Sequence, residues 1–289
     1  MRFAKYQGIG NDFVMLSDPG DELALTGELV RRLCDRRLGI GGDGVIRVAP
    51  GRDGAHLTMD YVNSDGSVGD MCGNGIRCLA LYARAEGLTS SPRIEVATRA
   101  GLKLVEVLPD GRVRVDMGPP AFAPEDVPVA GEGTDALHTV LELDGAGAGS
   151  DGAPVVEAAC LSMGNPHAVL FVDDPASAPV TSLGPALERH PAFAQRANVE
   201  FVRVDSPARI TMRVWERGAG ETLACGTGAC AAAVAARLLA GAAETVTVSL
   251  PGGELEVSWS GSLREQASVL MTGPAAESFC GEIDLERYR

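Results

Sequence analysis

Two short stretches carry residues that could do acid–base chemistry: Met71-Cys72-Gly73-Asn74-Gly75 and Ala224-Cys225-Gly226-Thr227-Gly228. Each reads as a glycine-bearing loop before an apolar helical pattern, IRCLALYARAEG in one case and ACAAAVAARLLAG in the other, and each pattern ends on glycine. The first turn of a helix has backbone N–H groups without intrahelical partners and carries the positive end of the dipole, so it favours an anion. A thiol placed there is expected to be acidified, from about 8.5 to somewhere between about 3.5 and 7.5. The same N–H groups can hold a carboxylate, and the glycines let a ligand come close to the backbone. Two such thiols meeting in one cleft from opposite sides could invert a carbon stereocentre. One thiolate would remove the α-proton from one face while the opposite thiol delivers a proton to the other. The carbanion needs a dry, preorganised site, but no electron-sink cofactor is then required. The other cysteines, Cys34, Cys78, Cys160, Cys230 and Cys280, read as small hydrophobes.

An internal repeat supplies the two motifs. At an offset of 152 to 155 residues, Gly10-Asn11-Asp12-Phe13-Val14-Met15-Leu16 falls against Gly164-Asn165-Pro166-His167-Ala168-Val169-Leu170, and Leu57-Thr58-Met59 against Ile210-Thr211-Met212. Cys72 falls against Cys225, and both halves close on a strand and Gly-Pro, at Gly118-Pro119 and Gly273-Pro274. The strand signals are β-branched alternations broken by turn residues, as in LKLVEV-LPDG-RVRVDMG and TVTVSL-PGG-ELEVSW. The expected fold class is therefore α+β, with two pseudo-repeated domains, each a mostly antiparallel sheet wrapped around a long central helix. The expected division is 1–118 plus 274–289 for the half with Cys72, and 119–273 for the half with Cys225. The Pro- and Gly-rich GPPAFAPEDVPVAGEGTDA marks the boundary region, and DGAGAGSDGAP reads as a flexible surface turn.

Composition narrows the function. A net charge of −14 repels phosphate backbones and anionic lipid surfaces, so neither nucleic acid nor a membrane is an expected partner. No uncharged apolar run reaches the length that spans a bilayer, and the opening MRFAKYQGIGNDF has no apolar signal region, which gives a cytoplasmic expectation. Seven cysteines without a secretion signal argue for reduced thiols. The four histidines are scattered and the cysteine pairs are spaced unlike a zinc site, so no metal is expected. There are only two lysines, Lys5 and Lys103, which leaves few candidates for a pyridoxal-phosphate Schiff base.

Gly10-Asn11-Asp12-Phe13, NSDGSVGDMCGNGIRC, MGNPHAV, RANVEF, ERGAGETLACGTGACA and TGPAAESF, taken in order over nearly the whole chain, resemble the successive signatures of the diaminopimelate epimerase family. The resemblance implies a cofactor-independent enzyme acting on a small-molecule amino-acid substrate, in lysine and peptidoglycan-precursor biosynthesis, and it suggests a homodimer. It implies that Cys72 and Cys225 are the two acid/base residues. It further implies that Asn11, Asn63, Gly73, Asn74, Asn165, Asn198, Glu216, Arg217, Gly226 and Thr227 line the substrate site, and that His167 and Glu216 tune the thiols. Chemistry agrees with part of this. Asn63 and Glu216-Arg217 hold corresponding places in the repeat, an arginine can clamp a carboxylate bidentately, and a glutamate can hold an ammonium. A histidine such as His167, taken alone, is more often a satisfied core residue. Two departures stand out: Gly44 takes the place where many family members have glutamine, and Phe193-Ala194-Gln195-Arg196 lacks a proline often found after the phenylalanine.

Other readings fit less well. Gly39-x-Gly41-x-x-Gly44 matches the dinucleotide fingerprint but follows a helix pattern and precedes a strand, the reverse of a Rossmann turn, so it reads as a helix stop. A thiol-disulfide oxidoreductase would leave the duplicated helix starts unexplained. A binding module would not need both thiols. A proline-racemase-type enzyme commonly has histidine where Asn74 stands, and a phenazine-biosynthesis-type isomerase would not be expected to keep both cysteines.

Overall fold

In the computed structural model residues 1–130, 134–143 and 155–288 are described, and DGAGAGSDGAP lies outside them. The chain divides into two compact units, Met1–Asp116 with Thr272–Arg289, and Met117–Met271.

The first unit contains strands β1 (Arg2–Gly8) and β2 (Asn11–Ser17), helix α1 (Gly27–Cys34), strands β3 (Gly44–Pro50), β4 (Leu57–Asn63) and β5 (Val68–Gly69), helix α2 (Gly73–Ala85), and strands β6 (Arg93–Thr98), β7 (Gly101–Val107) and β8 (Val113–Asp116). The second contains β9 (Thr139–Glu142), β10 (Val155–Ser162), β11 (Pro166–Phe171), helix α3 (Val180–Glu188), β12 (Asn198–Ser206), β13 (Arg209–Glu216), β14 (Gly220–Thr222), helix α4 (Gly226–Leu239), β15 (Thr245–Leu250) and β16 (Gly253–Ser258). The chain then crosses back through β17 (Leu270–Gly273), and β18 (Ala276–Glu282) completes the first unit.

The pairing pattern repeats strand for strand. In the first unit β1 pairs antiparallel with β2 and β18, β2 runs parallel to β3, β3 and β4 are antiparallel, and β4 pairs with β5 and, in parallel, with β6. In the second, β10 takes the place of β1 between β11 and β9, β11 runs parallel to β12, and β13 pairs with β12, β14 and, in parallel, β15. The sheets are thus mostly antiparallel with two parallel junctions in each unit. Both α2 and α4 are buried along most of their length, α2 against β1, β2, β3, β7 and β8, and α4 against β10 to β13, β15 and β16. Strand alternation supplies the apolar faces: Ile94 and Val96 of β6, and Val246 and Val248 of β15, are buried while their neighbours are less so.

The fingerprint-like glycines do stop a helix. After α1 the N–H groups of Ile40 and Gly41 donate to the Leu33 carbonyl, and Gly41 takes a φ of +82°, a left-handed turn that favours glycine. Two local expectations are corrected. Both long helices begin at the first glycine of each motif, with no intervening loop, because the cysteine itself is the N-cap. Cys280 also differs from the other cysteines assigned to packing: it is exposed on β18, whereas Cys34, Cys78, Cys160 and Cys230 are buried.

Candidate active site

In the first unit Cys72 caps α2 from an extended conformation (φ −133°, ψ 118°), and its Sγ accepts a hydrogen bond from Gly75 N at 3.4 Å. The thiol lies 3.6 Å from Asn11 Oδ1, which also accepts from Asn74 Nδ2 at 3.4 Å. Asn11 is held from the other end, its Nδ2 donating to Asp43 Oδ2 at 2.7 Å, and Asp43 is paired with Arg36. Asn74 is fixed by Arg77, a wholly buried guanidinium that donates to Asn74 Oδ1 at 2.9 Å, to Gly73 O at 3.1 Å and to Pro274 O at 3.2 Å. Asn11, Cys72, Gly73 and Asn74 are therefore one hydrogen-bonded group. Asn63 ends β4 and is engaged separately, accepting from Tyr61 Oη at 2.5 Å and donating to Ser67 Oγ at 3.0 Å.

Gly44 has a structural reason. A Cβ at this position would fall 2.6 Å from the Tyr61 ring and 2.7 Å from the Val62 carbonyl. Tyr61 occupies the space that any side chain at 44 would need, and its hydroxyl is bonded to Asn63.

In the second unit Cys225 caps α4 in nearly the same conformation (φ −125°, ψ 117°) and accepts from Gly228 N at 3.4 Å. Its Sγ is 3.5 Å from Thr227 Oγ1, which accepts from Asn165 Nδ2 at 3.4 Å. Asn165 Oδ1 faces His167 Nε2 at 3.0 Å, and His167 Nδ1 faces Glu200 Oε1 at 2.7 Å. Glu216 accepts from the Thr222 hydroxyl, and its carboxylate acts on the Cys225 thiol through its charge. Asn198 opens β12, donating to Pro166 O at 3.2 Å and accepting from Arg217 N at 2.9 Å, so it ties β11 to the turn after β13. Cys225, Gly226, Thr227, Asn165, His167, Asn198 and Glu216 are thus gathered. Arg217 joins them through its backbone, and its exposed guanidinium donates to Gln195 O at 3.1 Å.

The electrostatics correct one expectation. Burial, followed by the Glu216 and Glu200 carboxylates, pushes the Cys225 thiol well above its ordinary value despite the helix start. The helix N-terminus acidifies a thiol only where neighbouring charge and solvent allow it. Burial likewise pushes the Glu216 carboxyl up, opposed by its bond to the Thr222 hydroxyl.

The sequence reading did not single out Glu200, Asp43, Arg77 or Tyr61. Glu200 offered a signal, since it is a lone acid in the apolar run Val199-Glu200-Phe201-Val202. It is wholly buried.

Among the described residues no group of three or more histidine, cysteine or acidic side chains could hold a metal ion, and no helix is long and apolar enough to cross a membrane.

Two units of one topology, each with a cysteine capping its long helix, make a duplicated α+β fold that solved structures share. A probable proline racemase from Agrobacterium radiobacter K84 superposes with a TM-score of 0.69 over 98% of this chain and 93% of its own, at 19% identity. A phenazine biosynthesis protein of the PhzF family from Bacillus anthracis gives 0.65 over 98% and 99%, at 14% identity. These likenesses concern the fold alone. At the level of sequence, the profile described as Diaminopimelate epimerase matches residues 3–123 and 159–277. Diaminopimelate epimerase of Moorella thermoacetica is 47% identical over 99% of this chain and 100% of its own, and that of Thioalkalivibrio sulfidiphilus is 45% identical over 99% of each. The chain belongs to the diaminopimelate epimerase family.

Proposed function

We propose that the protein epimerises LL-2,6-diaminopimelate to the meso form, without pyridoxal phosphate or metal, in lysine and peptidoglycan-precursor biosynthesis. The observation that carries this reading is that a family member alike over its whole length keeps a helix-capping thiol in each unit, Cys72 and Cys225. As a thiolate, one cysteine takes the α-proton of the substrate, and the other, as a thiol, gives its proton to the opposite face. The enzyme leaves each turnover with the two roles exchanged. Gly73 and Asn74 at one helix start, and Gly226 and Thr227 at the other, present N–H groups to the carboxylate of the reacting head and stabilise the charge that develops beside it.

Asn11, Asn63, Asn165, Asn198, Glu216 and Arg217 complete the substrate site in this reading. Arg217 and Glu216 read the distal amino-acid head, while His167 and Glu216 tune the thiols. The effect of the Glu216 carboxylate on the Cys225 thiol supports the tuning role, since it raises the thiol and so favours its protonated form. The two halves, taken as 1–118 with 274–289 and as 119–273, each contribute one acid/base residue. A homodimer in the cytoplasm, binding a small amino acid and neither nucleic acid nor membrane, is the setting that this activity and the charge of −14 suit.

The deciding experiment is interconversion of LL- and meso-diaminopimelate in deuterated water with a reductant present and no added cofactor. The reading requires deuterium at the inverted carbon of the product. Turnover only on adding pyridoxal phosphate or a metal, or none on diaminopimelate, refutes it.

A further inference from the structure

The turn that carries Arg217 is held from outside by an acid that the site does not otherwise use. Glu188 is the last residue of α3, where a carboxylate faces the negative end of the helix dipole, and it is 2% exposed. Three donors meet it there. The Trp215 indole donates from Nε1 to Oε2 at 2.9 Å, Gly218 N donates to Oε1 at 3.0 Å, and Arg196 Nη1 lies 3.5 Å from the same Oε1. Burial pushes the carboxyl up, but the Trp215 and Gly218 bonds, with the charges of Arg189 and Arg196, hold it on balance below the usual carboxylate range. Trp215 is itself seated on α3, since a Cβ on Gly184, one turn before Glu188, would fall 2.7 Å from the Trp215 Cβ.

The three donors come from the two pieces of chain that define the place of Arg217. Trp215 precedes it on β13, and Gly218 follows it in the turn to β14 at a φ of +78°. Arg196 belongs to the loop 193–197, and the carbonyl that receives the Arg217 guanidinium is that of Gln195, the residue before it. Glu188 holds this loop through its backbone too, its carbonyl accepting from Ala197 N at 3.2 Å. One residue thus fixes both the turn from which Arg217 starts and the loop against which its side chain lies. Among the described residues no carboxylate pairs with the Arg217 guanidinium, so its fork is left for a ligand. In the first unit the residue matching Glu188 in the repeat, Asp35, is instead exposed and bonds within its own loop, to Arg37 N and Leu38 N.

We infer that Glu188 is a positioning residue for substrate choice: its carboxylate docks the turn between β13 and β14 onto the 193–197 loop, and so sets where the Arg217 guanidinium meets the distal carboxylate of the substrate. This inference rests on the reading of Arg217 given above. The sign of the effect separates positioning from charge. An anion so near the turn can only repel an anionic substrate, so loss of its charge alone would tighten binding, whereas loss of the anchor weakens it.

The test is a kinetic cycle of wild type, Glu188→Gln, Arg217→Ala and the double mutant on diaminopimelate. Glutamine keeps the size of the side chain but brings an NH₂ group to one of the two oxygens that now accept. In Glu188→Gln, KM is expected to rise about 10-fold with kcat little changed. The rise should be absent when Arg217 is already alanine, as for two residues that act in series. A lower KM, a loss carried by kcat, or a full further loss on top of Arg217→Ala overturns the inference. Wild-type kinetics in Arg217→Ala overturn the reading of Arg217 and the inference with it, whereas a weakened Arg217→Ala beside an unaffected Glu188→Gln overturns the inference alone. Should Glu188→Gln fail to fold, Trp215→Phe, which withdraws one donor from the same carboxylate, is read by the same cycle. Amide hydrogen exchange needs no substrate. It should be faster in Glu188→Gln over 193–197 and 217–220 and unchanged over α4, and unchanged protection of those two segments overturns the inference whether or not the protein turns over diaminopimelate.

Discussion

Cys72 and Cys225 share a backbone conformation and a capping role, yet their surroundings differ, and the consequences are testable side chain by side chain. If each thiol serves one face of the substrate, Cys72→Ala and Cys225→Ala should each lower epimerisation by about 10²-fold to 10⁴-fold or more while circular dichroism is unchanged. A folded single mutant of near-normal activity would refute the two-base mechanism. Choice of substrate belongs to other residues. The backbone N–H of Arg217 is held by Asn198 and its guanidinium reaches outward to Gln195 O, so the head is free to exchange that carbonyl for a carboxylate. Arg217→Lys should lower kcat/KM for diaminopimelate by about 10-fold to 100-fold, because an ammonium cannot reproduce the bidentate fork. Lysine, lacking the distal carboxylate, should be a poor substrate for wild type. Comparable kcat/KM for the two amino acids, or an unaffected mutant, would remove Arg217 from specificity.

At the level of elements, the first turns of α2 and α4 are set against different neighbours. Gly75→Ala would press on the ends of Ile46 and Met59, which are flexible hydrocarbon tips, so it should cost about 1 kcal/mol and leave activity largely intact. Gly228→Ala would press on Glu200 Oε1, which His167 holds, and on Cys225 Sγ, so it should cost about 2 to 3 kcal/mol and depress activity sharply. Urea unfolding with the epimerase assay separates the two, and equal effects would count against the contrast. Much of this scale was legible in the sequence. The helices, the strands before and after them, the helix stop at Gly41 and the repeat all leave periodic or turn-residue signals. The exact helix starts did not, because glycines weaken the helical pattern in the very turn that the cysteine side chain caps. The chain from Glu200 to Thr227 was only half legible: His167, Asn165 and Thr227 were named through the resemblance, but the acid that anchors them shows its partner only when β11 and β12 lie side by side.

For the whole molecule, buried thiols set an alkaline limit. Burial pushes Cys34, Cys78 and Cys160 up to about 12 from an ordinary value of 9.0. The unfolded chain releases these protons first, so the folded state binds more protons between the two values. Their contribution is therefore complete below about pH 9 and is lost as pH rises towards about 12. Stability measured by urea unfolding should fall through this window, and Cys78→Ala, compared with itself at neutral pH, should fall less steeply than wild type. Parallel slopes would show that Cys78 does not contribute. The fold class was readable from the repeat, but the different neighbours of the two helix starts were not, since Ile46 and Glu200 gain their meaning only from the position each takes beside the first turn of a long helix.

The discontinuous first unit also imposes an order on synthesis. Strand β1 needs β18 on one side and β2 on the other, and β18 is made only after the whole of the second unit. On the ribosome the second unit, continuous from Met117 to Met271, can close while the earlier-made residues still wait for their final strand. A nascent chain halted after Met271 should therefore resist protease over the second unit and be cut within the first, with β1 as an exposed edge open to capture by chaperones.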